Sequence, residues 1–152
     1  MVLKNYFILA GLALTLQNCQ STFSSKNAGD TLTKVEWYTY GGMRGYVEKV
    51  IVTKGNVYQT SYTTMNDNET TKNTYEISAE RWNNLVEAFN LADFKKVKDG
   101  PSQLPFDGAD QKIVVHTAVG SDSLINGFED QANYSRISEF TNLLQQFRLE
   151  KK

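Results

Sequence analysis

Residues 46–64 read YVEKVIVTKGNVYQTSYTT, and the fold follows from how this stretch is divided. Two runs rich in valine, isoleucine, threonine and tyrosine flank Gly55-Asn56. β-Branched and aromatic side chains suit a pleated, half-buried surface. A glycine-asparagine pair between two such runs signals a tight hairpin. The pattern therefore predicts strands over 46–54 and 57–64. Toward the N-terminus, residues 35–40 (VEWYTY) have the same composition and are set off by the breaker GGMRG at 41–45, which predicts another strand. Toward the C-terminus, the polar residues 66–73 (NDNETTKN) predict a loop, and residues 74–77 a short fourth strand.

At Ser78 the period changes. Ser78 suits an N-cap and Glu80 the positive end of a helix dipole. Trp82, Leu85, Val86 and Phe89 stand at i, i+3, i+4 and i+7, on one face of a helix ending near Leu91. Burying each of the four contributes about 1.5–3 kcal/mol before entropy. Phe94 and Val97 continue as an apolar, extended exit. Residues 99–110 (DGPSQLPFDGAD) hold both prolines and two Asp-Gly pairs, the mark of an irregular connection. Strands are expected over 112–119 and 123–129, joined at Gly120-Ser121-Asp122. A second helix is expected from about Tyr134, with Ile137, Phe140, Leu144 and Phe147 on one face. The order is β-β-β-(β)-α-β-β-α. Short turns make antiparallel neighbours, and the helix stripes must be buried. The expected fold is α+β, an antiparallel sheet of four to six strands with both helices packed on one face.

Before this domain stand Lys4, an apolar run over 7–16 and Cys19, the one cysteine of the chain. A basic start with about 7–15 apolar residues has the form of a secretory signal. Ten apolar residues are too few for a bilayer-spanning helix, which takes about 20. Leu16-Gln17-Asn18-Cys19 resembles a lipoprotein box, with Asn18 in place of the usual small residue. The resemblance implies lipidation of Cys19; the competing expectation is a secreted protein with a stray cysteine. The expected division is a signal peptide over 1–18, a flexible tether over 19–34 and one globular domain over 35–150. At roughly 5–6 Å × √n, the tether reaches about 20 Å from the bilayer. The expected location is the cell envelope, lipid-anchored, at the outer membrane on its periplasmic or surface side.

Removal of residues 1–18 leaves 134 residues, a single-domain length that buries about two-thirds of its unfolded surface. That part has 15 basic and 17 acidic residues, and its arginines are only Arg44, Arg81, Arg136 and Arg148. Nucleic-acid binding needs clustered cations to neutralise phosphates, and no such cluster exists. Without a second cysteine no intramolecular disulfide forms, so packing alone must hold the core.

The second half is similar to a family of uncharacterised Bacteroidota lipoproteins. The matching residues are Trp82, Pro101, Asp107-Gly108-Ala109, the strands over 112–119 and 124–128, and the helix over 137–144. Gly41, Gly42 and Gly45 ahead of the hairpin also fit, whereas residues 130–133 (DQAN) stand where the family commonly has Pro-Pro. The resemblance implies an envelope address and this fold; it implies no activity.

Asp107-Gly108-Ala109-Asp110 is the sharpest local motif. It reads first as a turn, in which Asp accepts backbone bonds and Gly takes a positive φ. The competing reading is an acid–base or metal site of Asp107 and Asp110, joined by Glu129, Asp130 or His116. EF-hand spacing is absent, and no metal ligand set or cofactor is expected. Residues 66–69 (NDNE) read as a solvated loop before a weak cation site, and His116, the sole histidine, as a sheet residue before a catalyst. Asp30-Thr31-Leu32 and Asp122-Ser123-Leu124 resemble a short O-glycosylation motif. The tyrosines carry the most: Tyr58 and Tyr62 share a strand face, as do Tyr38 and Tyr40. If the helices cover one side of the sheet, tyrosines on the other offer a protein or a glycan large contact area at low entropy cost; ordinary cross-strand packing is the plainer alternative. The expectation is a non-enzymatic binding domain. An acid–base or metal-dependent enzyme using Asp107 and Asp110, and a structural accessory lipoprotein, are the alternatives.

Overall fold

The computed structural model describes residues 30–150, with residues 66–69 described by their backbone alone. Cys19, the expected signal segment and most of the expected tether lie outside the described residues. Six strands form one sheet: β1 (Leu32–Gly41), β2 (Tyr46–Thr53), β3 (Asn56–Thr63), β4 (Asn66–Glu76), β5 (Ala109–Thr117) and β6 (Gly120–Ile125). Their spatial order is β4-β3-β2-β1-β5-β6, every pair antiparallel. Helix α1 (Ala79–Ala88) and the short α2 (Leu91–Phe94) separate β4 from β5, and α3 (Ser138–Leu149) ends the domain.

The hairpin forms where expected, displaced by one residue. Lys54 and Gly55 make the turn, Gly55 at φ 100°, and Asn56 already pairs with Thr53. β1 begins at Leu32 rather than after residue 34, because Leu32 is buried in the core. The larger departure is β4. Residues 66–73 are not a loop but most of an eleven-residue strand paired to β3. An edge strand has one partner and faces water, so polar and threonine-rich sequence serves it without apolar alternation. Residues 91–97 are not extended: Asn90 Oδ1 accepts from the Asp93 N–H at 3.0 Å and starts α2. β6 stops at Ile125 because Asn126 turns into the left-handed region at φ 47°. Residues 134–137 are a 3-10 turn, and α3 proper follows.

The core lies on one side of the sheet. Val35 and Trp37 of β1, Val50 and Val52 of β2, Val57, Tyr75, Ile113, Val115 and Leu124 are all buried and face the same way by register. Against them pack Trp82, Leu85, Phe89 and Phe94 from the first helical segment and Phe140, Leu144 and Phe147 from α3. Phe89 meets Phe140 at 5.2 Å between ring centres, and Phe94 meets Phe140 edge-on at 6.5 Å. Both helices thus cover one face, as the stripes required, and among the described residues no layer covers the other.

Candidate functional site

Strand alternation places Tyr38, Tyr40, Tyr58 and Tyr62 together on the uncovered face. Cross-strand pairing runs Tyr40, Val47, Tyr62 in one row and Tyr38, Lys49, Thr60 in the next. The row after that runs Glu36, Ile51, Tyr58. Tyr58 is 42% exposed; the other three are half-buried by their strand neighbours.

At the centre lies Glu36, which the sequence did not single out. Its carboxylate takes Lys34 Nζ at 2.7 Å, Lys49 Nζ at 3.3 Å and the Tyr38 hydroxyl. Its Oε1 also faces His116 Nε2 at 3.0 Å, while His116 Nδ1 meets Ser121 Oγ at 2.7 Å. A carboxylate only accepts, so Nε2 donates to Glu36, and in the neutral ring Nδ1 accepts the Ser121 hydroxyl. Lys49 also stands 5.0 Å over the Tyr38 ring. Desolvation works to raise the Glu36 pKa. The hydrogen bonds from Lys34, Tyr38 and Lys49 and the Lys49 charge outweigh it and bring it down to about 2. Desolvation and the bond to Glu36 push the Tyr38 hydroxyl up. The face therefore hides its negative charge: the Glu36 side chain is 11% exposed, against 37% and 35% for Lys34 and Lys49.

Asp110, on the same face beside Tyr40, is buried by other means. Its Oδ1 accepts from the Gln103 N–H at 2.7 Å and Asn126 Nδ2 at 2.8 Å, and its Oδ2 from Ser102 at 2.7 Å. Desolvation pulls its pKa up; these three neutral donors overcome that and hold it below the ordinary aspartate value. Asp107 is exposed and takes the positive φ, 56°, expected of Gly108. Gly108 is required for another reason, since a Cβ there would meet Gln103 Cβ at 2.6 Å. Asp110 and His116 lie six strand residues apart, about 20 Å, so they do not meet in one site. Asp130 is taken up by the Lys98 N–H at 2.9 Å and by Asn133. Among the described residues no group of three or more histidine, cysteine, aspartate or glutamate side chains is placed to hold a metal ion. Nor, among those residues, is any helix long and apolar enough to cross a membrane. Of the two glycosylation-like motifs, Ser123 is exposed on β6 and Asp122 pairs with Lys95 at 3.5 Å.

A second feature adjoins the tyrosine rows. Beyond Tyr40 and Tyr62 the sheet ends in three loops that backbone bonds draw together. The Gly42 N–H donates to Gly108 O at 2.9 Å, and the Thr64 N–H to Gly45 O at 3.0 Å. At Gly41 a Cβ would lie 2.5 Å from Gly108 O, so the close approach needs glycine there. This tip presents Met43, Met65 and Phe106 at 79%, 76% and 81% exposure. Large apolar side chains left in the open on loops bonded to one another suit an interaction surface. Met43 and its flanking glycines were visible in the sequence; the bonding of their loop to the loops of Met65 and Phe106 was not.

No protein-family model matches the chain, and no curated protein matches it.

Proposed function

We propose that this protein is a lipid-anchored envelope domain that docks a protein partner across its uncovered sheet face and glycine-built tip. The observation that carries the reading is the joining of the four-tyrosine face to three exposed apolar side chains on three separate loops. Tyrosine, methionine and phenylalanine are enriched at protein interfaces, and a broad, flat surface suits a protein more than a small ligand. The charge a partner meets in the tyrosine rows is cationic, from Lys49, Lys72 and Lys112, because Glu36 and Asp110 are buried. An acidic partner surface fits that pattern.

The anchor supports the same reading. β1 starts at Leu32 and reaches the tip at Gly41, ten residues or about 30 Å later. A lipid on Cys19 would hold the Leu32 end toward the bilayer and turn the tip outward. Mass spectrometry of detergent-extracted protein tests the anchor: an acylated Cys19 is expected, and an unmodified N-terminus elsewhere contradicts it. Pulldown from solubilised envelope tests the docking. A partner recovered by wild type should be lost with Tyr58→Ala/Tyr62→Ala and with Phe106→Ala, and released by salt. Equal recovery by all three proteins would reject the assignment of this face.

A further inference from the structure

The sheet face that carries the core is only partly covered. Along β2, β3 and β4 its rows change from Val52, Val57 and Tyr75 to Val50, Gln59 and Asn73, then to Glu48, Ser61 and Thr71, and finally to Tyr46 beside Thr63. The last rows have passed the end of α3. A cavity of about 320 Å³ opens there, lined by these polar side chains and by Arg148. That volume is at the lower end of the range of small-ligand sites.

The wall of this cavity is fixed. Gln59 Nε2 shares its two hydrogens among the carbonyls of Phe147, Arg148 and Glu150, at 2.7, 3.3 and 3.1 Å, and so pins the C-terminus of α3 over the sheet. The Tyr75 hydroxyl donates to Phe147 O at 2.8 Å, and Asn73 Nδ2 to Gln59 Oε1 at 3.0 Å. Arg148, held by this helix end, donates through Nε to Glu48 Oε2 at 2.7 Å. Side chains locked by such supporting bonds are what a binding site needs and what incidental surface roughness lacks.

We infer that this cavity binds a saccharide unit through its hydroxyl groups. The Glu48–Arg148 pair neutralises its own charge, which favours neither a free anion nor a free cation. It still presents the second carboxylate oxygen as acceptor and the terminal guanidinium nitrogens as donors. A donor and an acceptor fixed side by side match the two vicinal hydroxyls of a sugar ring. Ser61 and Thr71 add hydroxyls in the same cross-strand row, and Asn73 an amide in the next. Tyr46, 41% exposed, supplies an aromatic surface for the C–H face of the ring. Thr60 and Lys72 also border the cavity, although strand alternation turns their side chains to the tyrosine face. The site is on the face opposite the tyrosine rows and stands or falls independently of the docking proposed there.

The test is calorimetric titration of the mature full chain with neutral trisaccharides of glucose, galactose, mannose and N-acetylglucosamine, with inorganic phosphate as the charge control. Saturable binding of at least one trisaccharide is expected, weakened about tenfold or more by Tyr46→Ala and by Thr71→Val and unchanged by Tyr58→Ala. Ser61→Ala, which removes a single hydroxyl, is the companion variant should Tyr46→Ala melt early. Failure of all four sugars to bind overturns the inference. So does unaltered affinity in the Tyr46, Thr71 and Ser61 variants, or tighter binding of phosphate than of any sugar.

Discussion

On the covered face, Val35, Val50, Val52, Val57 and Val115 are fully buried beneath Leu85, Phe140 and Leu144, whereas on the other face Ile51, Tyr58 and Tyr62, their neighbours along the same strands, keep contact with water. Adjacent residues therefore do different work. Val57 holds the fold and Tyr58 presents a ring; Val52 is core and Ile51 is surface. Because the strand period is two, the core and the face proposed for docking are interleaved in sequence yet separated in space. The two buried carboxylates, Glu36 and Asp110, are the exceptions, since both lie on the uncovered face. They differ from one another: Glu36 is held by lysines, while Asp110 is held by neutral donors that tie residues 102–103 and Asn126 to β5.

Substitutions can break this division, beginning with the largest effect. Phe140→Ala removes the ring against which Phe89 and Phe94 pack and should cost about 3–5 kcal/mol in denaturant unfolding. A loss under 1 kcal/mol would mean that the helices are not the stabilising layer. Asp110→Ala tests the exception. It strips a partner from fully buried Asn126 and from Ser102, and should cost about 2–3 kcal/mol although it lies on the uncovered face.

The third prediction concerns pH. Glu36 has a folded pKa of about 2 against an ordinary value of 4.5, so it binds a proton less readily when folded. Its stabilising contribution is present above pH 4.5 and is lost as pH falls toward 2. Urea midpoints measured from pH 6 to pH 2 should fall through that window in wild type, and Glu36→Gln should flatten the fall. An identical profile in both proteins would show that the lysine cage does not hold the carboxylate. Smallest of all, Tyr58→Ala should shift stability by no more than about 0.5 kcal/mol, as an exposed side chain does.

The hairpin, the two apolar helix stripes and the sharing of one face by the tyrosines were legible because each depends on a short period. β4 was misread because polarity at residues 66–73 signals solvent contact, which a loop and an edge strand share. Glu36 escaped notice because Lys49 and His116 reach it only through the register of β2 and β5 on β1. The tip needs three loops to meet, and the polar cavity needs Arg148 to arrive from α3 over β2, a separation of 100 residues. Local pattern carries none of these long-range meetings. It also led Gly108 to be assigned the positive φ that Asp107 takes.

The central claim is that recognition resides on the uncovered face and its tip. Photo-crosslinking in intact cells tests it most directly, with the reactive side chain placed at Tyr58, at Phe106 or at exposed Asn83 on α1. The expected result is one common partner captured from Tyr58 and Phe106, and not from Asn83. Capture from Asn83 alone, or from all three positions alike, would contradict the claim.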